Sequence, residues 1–361
     1  ITYFNQSPDA LSYLWLQLDQ NAFAKDADSY AVEQMKMGES VSYNDLVDLN
    51  PWYDGGFKLD YVRDAGGKAL PYTVNKTMMR IDLPQTLKPG GTFVFKIKWW
   101  YNINDRIRLG GRSGYEFFEE DGNYLYTMAQ FFPRMVVYCD NQGWQHKQFL
   151  GMGEFTLNFG NYDVKITVPA DHIVASTGVL QNAKDVLTSE ELKRFNAAKT
   201  SDEPIVITTQ EEAEKKEKNK ETSKTKTWHF KAENVRDFAF ANSRKFIWDA
   251  QAVKIGDKTP LAMSYYPKEG NPLWGQFSTR VVAHTLRSYS KHTIDYPYPV
   301  AISVHTKWMG MEYPMICFNG GRPEKDGTYD QGTRDGMISV IIHEVGHNFF
   351  PMIINSDERQ W

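Results

Sequence analysis

The chain has 361 residues, of which 41% are hydrophobic, 14% aromatic and 24% charged. This composition is typical of a folded protein with a large core and excludes a wholly disordered chain, while the length suggests two or three domains. Lys and Arg number 41 against 45 Asp and Glu, so the net charge is -4. Because this charge offers no basic surface for a nucleic-acid backbone, we expect no nucleic-acid partner.

The two cysteines, Cys139 and Cys317, are too few for a disulfide framework or a cysteine-rich zinc module. They leave the cellular compartment undecided. No apolar run approaches the roughly 18 to 20 residues that a membrane helix needs, so we expect no transmembrane segment.

Short segments in which apolar and polar residues alternate predict strands in the first half of the chain. In residues 92–101 the odd-numbered positions are aromatic or aliphatic and share one face, as a half-buried strand requires. The other predicted strands are residues 13–18, 124–129, 155–159 and 164–168. Turn-forming residues separate them, and the pattern predicts an antiparallel β-sandwich or saddle.

Residues 181–227 are predicted to be an insertion with two parts. Thr188, followed three residues later by Glu191, predicts the capped start of a helix. Residues 211–227 then contain five Glu and six Lys. We expect this charged part to be a solvated loop or mobile helix, and the alternative is a charged surface that binds a partner.

Helical signals strengthen after about residue 255, and we predict a domain boundary there. Asn271 and Pro272 predict the start of a helix. Residues 301–306 are a predicted strand, 319–336 a loop and 337–350 an apolar helix. The predicted domains are therefore residues 1–255, rich in β-structure, and residues 256–361, with α/β structure.

The most informative segment is His343-Glu344-Val345-Gly346-His347. Histidines four residues apart stand one turn above each other on a helix, so both can direct a nitrogen at one metal ion. Neutral imidazoles suit zinc, and we predict one zinc ion held by His343 and His347. Glu344 is predicted to be the general base for a metal-activated water. The alternative is two ordinary helix histidines, which burial of the helix disfavours.

Residues 341–361, together with Gly-Met-Glu-Tyr-Pro at 310–314, resemble the zinc aminopeptidases that include aminopeptidase N and leukotriene hydrolase. That family, of the HExxH gluzincin type, carries Gly-x-Met-Glu-Asn before HExxH; here Met309 replaces the Gly and Tyr313 the Asn. The resemblance implies a multidomain α+β fold. An N-terminal antiparallel β-sandwich or saddle domain would precede the start of a thermolysin-like α/β catalytic domain, and the activity would be hydrolysis of the N-terminal peptide bond.

The resemblance also assigns substrate-binding residues. Glu312 would hold the free ammonium of a peptide, which leaves only the first peptide bond over the metal. Gln130 would reach the same amine from the N-terminal domain, and the backbone of Gly310 and Met311 would pair with the peptide as an added strand. The expected partners are peptides with a free N-terminus.

The family's third zinc ligand, a Glu, would fall roughly five residues beyond Trp361, since catalytic zinc normally takes three protein ligands. The oxyanion-stabilising residue would also lie downstream. We therefore expect the chain as given to be a truncated, inactive part of the enzyme, and Glu358 lies too near His347 to substitute. A non-catalytic scaffold, a zinc endopeptidase, which Glu312 disfavours, and epoxide hydrolysis stay open. The family resemblance favours a periplasmic or secreted location.

Overall fold

The computed structural model describes residues 1–29, 40, 53–220, 223–354 and 358. The chain divides into two compact units. The first contains residues 1–104, 130–158 and 355–361, and the second contains residues 105–129 and 159–354. The domains 1–255 and 256–361 stay a prediction. Apart from Glu358, the segment 355–361 lies outside the described residues.

Strands and helices are numbered here in chain order. The strands of the first unit are β1 Thr2–Phe4, β2 Leu11–Gln17, β3 Lys58–Asp64, β4 Tyr72–Asn75, β5 Met78–Leu87, β6 Thr92–Trp100, β9 Arg134–Met135, β10 Tyr138–Cys139 and β11 Gly143–Trp144. Those of the second unit are β7 Gly114–Phe118, β8 Asn123–Met128, β12 Gly160–Pro169, β13 Ile173–Ser176, β14 Val179–Leu180, β15 Ile205–Thr208, β16 Thr225–Val235, β17 Phe240–Ser243, β18 Ile247–Ala252, β19 Leu261–Tyr266, β20 Val300–His305, β21 Gly310–Tyr313 and β22 Ile316–Asn319. In the described part of the second unit the helices are α1 Arg106–Leu109, α2 Ala183–Val186, α3 Ser189–Ala198, α4 Gln210–Asn219, α5 Leu273–His292 and α6 Gln331–Gly346. Short 3-10 helices lie at Asp19–Phe23 in the first unit and at Lys268–Gly270 in the second.

The first unit is built from small sheets around one apolar core. Its sheets have the orders β4-β5-β2-β9, β1-β6-β3 and β10-β11. The predicted strand 92–101 is β6, and its odd-numbered side chains pack on the core: Phe95 is buried, while Phe93 and Ile97 are partly buried. The alternating pattern therefore identified the buried face correctly.

The strand predicted over residues 155–159 is wrong. Within this segment only Leu157 pairs, in an isolated bridge with Val136. Phe155 and Leu157 are buried, so the apolar residues in this segment are those of a buried loop and not of a strand. The regular strand β12 begins at Gly160, where a register shift between Gly160 and Tyr162 forms a bulge against β16.

The second unit contains two smaller sheets, β12-β16-β14 and β13-β17-β8-β7, and a six-stranded sheet of order β15-β18-β19-β20-β22-β21. In the large sheet β20 runs parallel to β19 and β22, whereas β21 is antiparallel to β22 and forms the edge. Helix α5 connects β19 to β20, and α5 and α6 both pack on this sheet. The predicted multidomain α+β fold is confirmed.

Within the charged segment 211–227, predicted to be a solvated loop or mobile helix, residues 211–219 belong to the packed helix α4 and residues 225–227 to strand β16. Helix α4 begins with a capping box between Thr209 and Glu212 and buries Ala213 and Glu217. The carboxylate of Glu217 lies 3.1 Å from the ammonium of the buried Lys245. Lys245 also pairs with Asp121 and, at 3.0 Å, with Glu269, so helix α4 supplies one of the carboxylates that compensate a buried ammonium.

Two helix boundaries differ from those predicted. Helix α5 begins at Leu273, and Asn271 Oδ1 accepts a hydrogen bond from Gly275 N at 3.2 Å. Helix α6 begins at Gln331, six residues before the predicted start, because Asp330 caps it by accepting a hydrogen bond from Thr333 N at 2.7 Å. It ends at Gly346. None of the described helices is long and apolar enough to cross a membrane.

Candidate metal centre

Helix α6 carries the His-Glu-Val-Gly-His segment at its C-terminal end. His343 and Glu344 lie in its last turn, and His347 follows at the C-cap with helical backbone angles. A Cβ atom added at Gly346 would lie 2.6 Å from the hydroxyl oxygen of Tyr289 on α5. A larger side chain would force Tyr289 to move, so the glycine between the two histidines allows the close packing of α6 on α5.

The two histidines direct their Nε2 atoms at a common point. These atoms are 3.1 Å apart, and the rings are nearly perpendicular, with centroids 4.6 Å apart. His347 Nδ1 lies 3.0 Å from the carbonyl oxygen of Phe350. Because a carbonyl oxygen only accepts, Nδ1 carries the proton, and Nε2 keeps its lone pair for a ligand.

This donor set fits a zinc ion. Two nitrogen atoms on one tetrahedral zinc, at bond lengths of roughly 2.0–2.1 Å, lie about 3.3 Å apart, close to the separation seen here. The hydrogen bond at Nδ1 is the outer contact that metal-bound histidines usually make. Among the described residues, His343, Glu344 and His347 form the single group of side chains that could hold a metal ion, with potential ligand atoms within 4.8 Å of one another.

Glu344 is a buried carboxyl group without a full set of partners. It is 5% exposed, and its Oε2 has no hydrogen-bond partner among the described residues. Burial and, to a smaller extent, the charge of Glu312 raise the pKa of Glu344 to about 7, while the charge of Arg112 opposes this shift. A carboxyl group with a pKa near 7 that lies beside two convergent imidazoles can exchange a proton with a small molecule at the site.

The edge strand β21 carries Glu312 and approaches the helix at Gly310. A Cβ atom at Gly310 would lie only 2.5 Å from Glu344 Oε1 and 3.0 Å from Val340 Cγ2. Glu312 is half-buried, and the side chain of Met311 is fully buried. Within the sheet β21 pairs with β22 alone, so one edge of its backbone has no strand of the described residues beside it.

A buried asparagine ties the β21–β22 turn to the end of the metal-site helix. Met315, in this turn, has a left-handed φ of 67°, and its N–H donates to Asn348 Oδ1 at 2.6 Å. The carbonyl of Pro314 in the same turn accepts from Thr177 Oγ1 at 2.8 Å. These contacts hold the turn from two sides, and the sequence analysis did not find them because the partners have no recognisable spacing.

Gln130 lies in the first unit, where a buried polar cluster surrounds it. It has a left-handed φ of 52°, and its Nε2 donates a short hydrogen bond to Glu154 Oε2. Glu358, also in the first unit, accepts a hydrogen bond from Phe155 N at 3.2 Å through Oε2. The roles of Gln130, Glu312, Gly310 and Met311 in substrate binding stay predictions.

Two further histidines of the second unit, His305 and His284, and the cysteine Cys317 have ordinary packing or surface environments. His305 is fully buried with its ring edge against Trp274, and burial, with the charge of Arg322, lowers the pKa of its imidazole well below the usual value. His284 shares a hydrogen bond with Ser288 at 3.2 Å. Cys317 is buried and donates to the carbonyl of Ile302 at 3.3 Å; burial raises the pKa of its thiol. Arg112, whose charge acts on Glu344, carried no sequence signal.

Among solved structures, this chain is similar to M1 zinc metallopeptidases. One, from Deinococcus radiodurans, has 14% sequence identity and a TM-score of 0.55, with 99% of this chain and 60% of that chain covered. A mutant form from the same organism has 13% identity and a TM-score of 0.57, with 99% and 61% covered. A further mutant structure from that organism, bound to a Tyr-Ser-Ala substrate, has 13% identity and a TM-score of 0.53, with 99% and 61% covered. No protein-family model and no curated protein sequence matches.

At these identities the comparison establishes the fold. The chain has the fold of M1 zinc metallopeptidases over almost its whole length, which confirms the predicted resemblance at that level. It spans about three fifths of the length of these relatives. Metal identity, activity and substrates are therefore matters for a proposal.

Proposed function

We propose that this chain carries the metal-binding and amine-binding parts of a zinc-dependent aminopeptidase. The observation that carries the proposal is the convergence of His343 Nε2 and His347 Nε2, 3.1 Å apart, beside the buried carboxyl of Glu344. His343 and His347 would hold the ion. Zinc, when bound, lowers the pKa of water toward 7 and polarises a carbonyl oxygen.

Glu344 then acts as the general base. Its carboxyl has a pKa of about 7 and an oxygen without a protein partner, so it can accept a proton from the attacking water at neutral pH. It can afterwards deliver that proton to the leaving amine. Because Gly310 has no side chain, it leaves room for Glu344 Oε1, and Oε2 has no hydrogen-bond partner among the described residues, so it is available for this exchange.

Glu312 and Gln130 are proposed to recognise the free N-terminus. A carboxylate on an edge strand suits an ammonium group, which has three donors and no acceptor. The free edge of β21 at Gly310 and Met311 suits pairing with an extended peptide. The neighbour bound to a Tyr-Ser-Ala substrate supports peptides as the substrate class.

The test is hydrolysis of a short peptide with a free N-terminus and of its N-acetylated twin, by the longest natural form of the chain, before and after zinc chelation. We expect cleavage of the free peptide alone, lost on chelation and restored by zinc. The E312Q variant should raise KM for the free peptide, because it removes the charge that holds the ammonium.

Each other outcome points to another hypothesis. Cleavage of both peptides by the wild-type protein would reject the amine anchor and favour a zinc endopeptidase. Binding of zinc without cleavage of any peptide in a varied panel would reject the peptidase and favour a scaffold. Chelator-resistant cleavage would reject the metal.

A further inference from the structure

Gln130 is held in an unusual backbone conformation inside the first unit. It is 3% exposed, and its φ of 52° lies in the left-handed region, which non-glycine residues rarely adopt. Gln20 Nε2 donates to the backbone carbonyl oxygen of Gln130 at 3.1 Å. A conformation of this kind persists only where its surroundings fix it, and such positions concentrate at functional sites.

The orientation of the Gln130 side-chain amide follows from its one partner. Nε2 donates a short hydrogen bond to Oε2 of Glu154, which is itself 3% exposed. A carboxylate has no hydrogen to donate, so it selects the N–H end of the amide. The opposite end, Oε1, accepts no hydrogen bond from any residue in the described part of the chain.

Glu154 is held in turn by the rest of the cluster. Arg134 Nη2 donates to the backbone carbonyl of Glu154 at 3.4 Å. The guanidinium of Arg134 is paired with Asp19 through Nη2 at 2.8 Å and through Nε at 2.9 Å. Because Arg134 and Asp19 are both buried, this two-point pair has little freedom to move.

We propose that Glu154 is a positioning residue that sets the amide of Gln130 so that Oε1 faces the substrate's ammonium. This inference rests on the amine-binding role proposed for Gln130. An ammonium needs an acceptor, and the reversed amide would present two N–H groups to a cation. Glu154 contacts Gln130 and acts through it.

The variants E154M and E154Q test this positioning, since both keep the length of the side chain. E154M removes the acceptor, so we expect KM for a free-amine peptide to rise about tenfold, the size of one hydrogen bond to a charged group, with kcat within about twofold. E154Q keeps a carbonyl acceptor, and we expect its KM to stay near the wild-type value. A merely structural role would lower the amount of folded enzyme and leave KM unchanged.

A double-mutant cycle separates action through Gln130 from an independent effect. In a Q130A background, E154M should cause no further rise in KM, because the group that it positions is gone. An equal rise in both backgrounds would overturn the inference, and so would an E154M variant with wild-type KM. Wild-type protein that cleaves no free-amine peptide would reject the proposed function itself, whereas the preceding outcomes reject only the role of Glu154.

One measurement needs no variant and covers the case in which E154M does not fold. In the wild-type protein the side-chain N–H groups of Gln130 should exchange with solvent more slowly than a free amide, because Glu154 Oε2 accepts one of them in a buried site. Exchange at the free rate would overturn the inference.

Discussion

Two carboxyl groups of the second unit are almost equally buried but differ in their partners. Asp249 on β18 is 3% exposed, and both of its oxygens accept hydrogen bonds, from Tyr266 Oη at 2.6 Å and from Thr279 Oγ1. Burial raises the pKa of Asp249 to about 6, and the two hydroxyl groups oppose this shift. Asp249 thereby joins helix α5 to strands β18 and β19.

Glu344 is buried without such support. Its Oε2 has no protein partner among the described residues, and the charge of Glu312 adds to the effect of burial on its pKa. Burial alone therefore does not separate structural from functional carboxyl groups. The two kinds of carboxyl group differ in their hydrogen-bond partners. A carboxyl group whose two oxygens both accept hydrogen bonds connects elements of the fold. A carboxyl group with an oxygen that lacks a partner, beside the two convergent imidazoles, is available for chemistry.

The largest expected effect is on activity, in the E344Q variant. Removing the proposed general base should lower kcat about a thousandfold, while His343 and His347, the proposed ligands, should keep zinc binding near the wild-type level. Peptide hydrolysis and zinc content of the purified protein measure the two quantities. D249N is the matched control, because it neutralises a carboxyl of similar burial outside the metal site, and we expect its kcat to stay within about threefold of wild type. Equal losses of activity in both variants would remove the distinction between the two groups.

The second prediction concerns the pH dependence of stability. The pKa of Asp249 is about 6 in the folded protein and near 3.8 otherwise, so its protonated form favours folding. This contribution is present at acid pH and is lost as the pH rises through 6. The free energy of unfolding of the wild-type protein relative to D249N should therefore fall by about 2 kcal/mol from pH 4.5 to 7.5.

Urea unfolding at several pH values measures this difference, with the metal removed so that only the polypeptide titrates. A difference that stays constant over the range would show that the hydroxyl groups of Tyr266 and Thr279 compensate fully for burial. Asp249 would then be an ordinary ionised residue in the folded state.

The metal-site motif was predictable from sequence because its geometry is local. Histidines four residues apart on one helix converge whatever the tertiary structure, and the Thr188–Glu191 capping box is equally local and is present as predicted. The start of α6 was missed because Gly332 and Gly336 weaken the helical signal, while the cap at Asp330 overrides it.

Contacts between segments that are distant in the chain could not be predicted from local sequence patterns. The packing of the charged helix α4 depends on Lys245, a buried lysine far from Glu217 in the chain. The contact of Gln130 with Glu154 and the contact of Asn348 with Met315 likewise join loops without periodic patterns. From a single sequence, such pairs can be predicted only through a family resemblance, and none of these residue pairs was part of the family motif.

The third pair of variants concerns two glycines that differ in the space around them. The backbone at Gly310 is not left-handed, so G310A tests only the added methyl group, which would lie 2.5 Å from Glu344 Oε1. We expect the carboxyl to be displaced, with kcat lowered about 10- to 100-fold and stability lowered by about 1 kcal/mol. At Gly336 on α6 an added Cβ meets nothing within 4 Å. G336A should therefore keep wild-type kcat and raise the free energy of unfolding by about 0.5–1 kcal/mol, since alanine is the better helix former. Peptide hydrolysis and urea unfolding of the two variants measure these effects, and wild-type kcat in G310A would show that the position of Glu344 does not depend on the approach of β21.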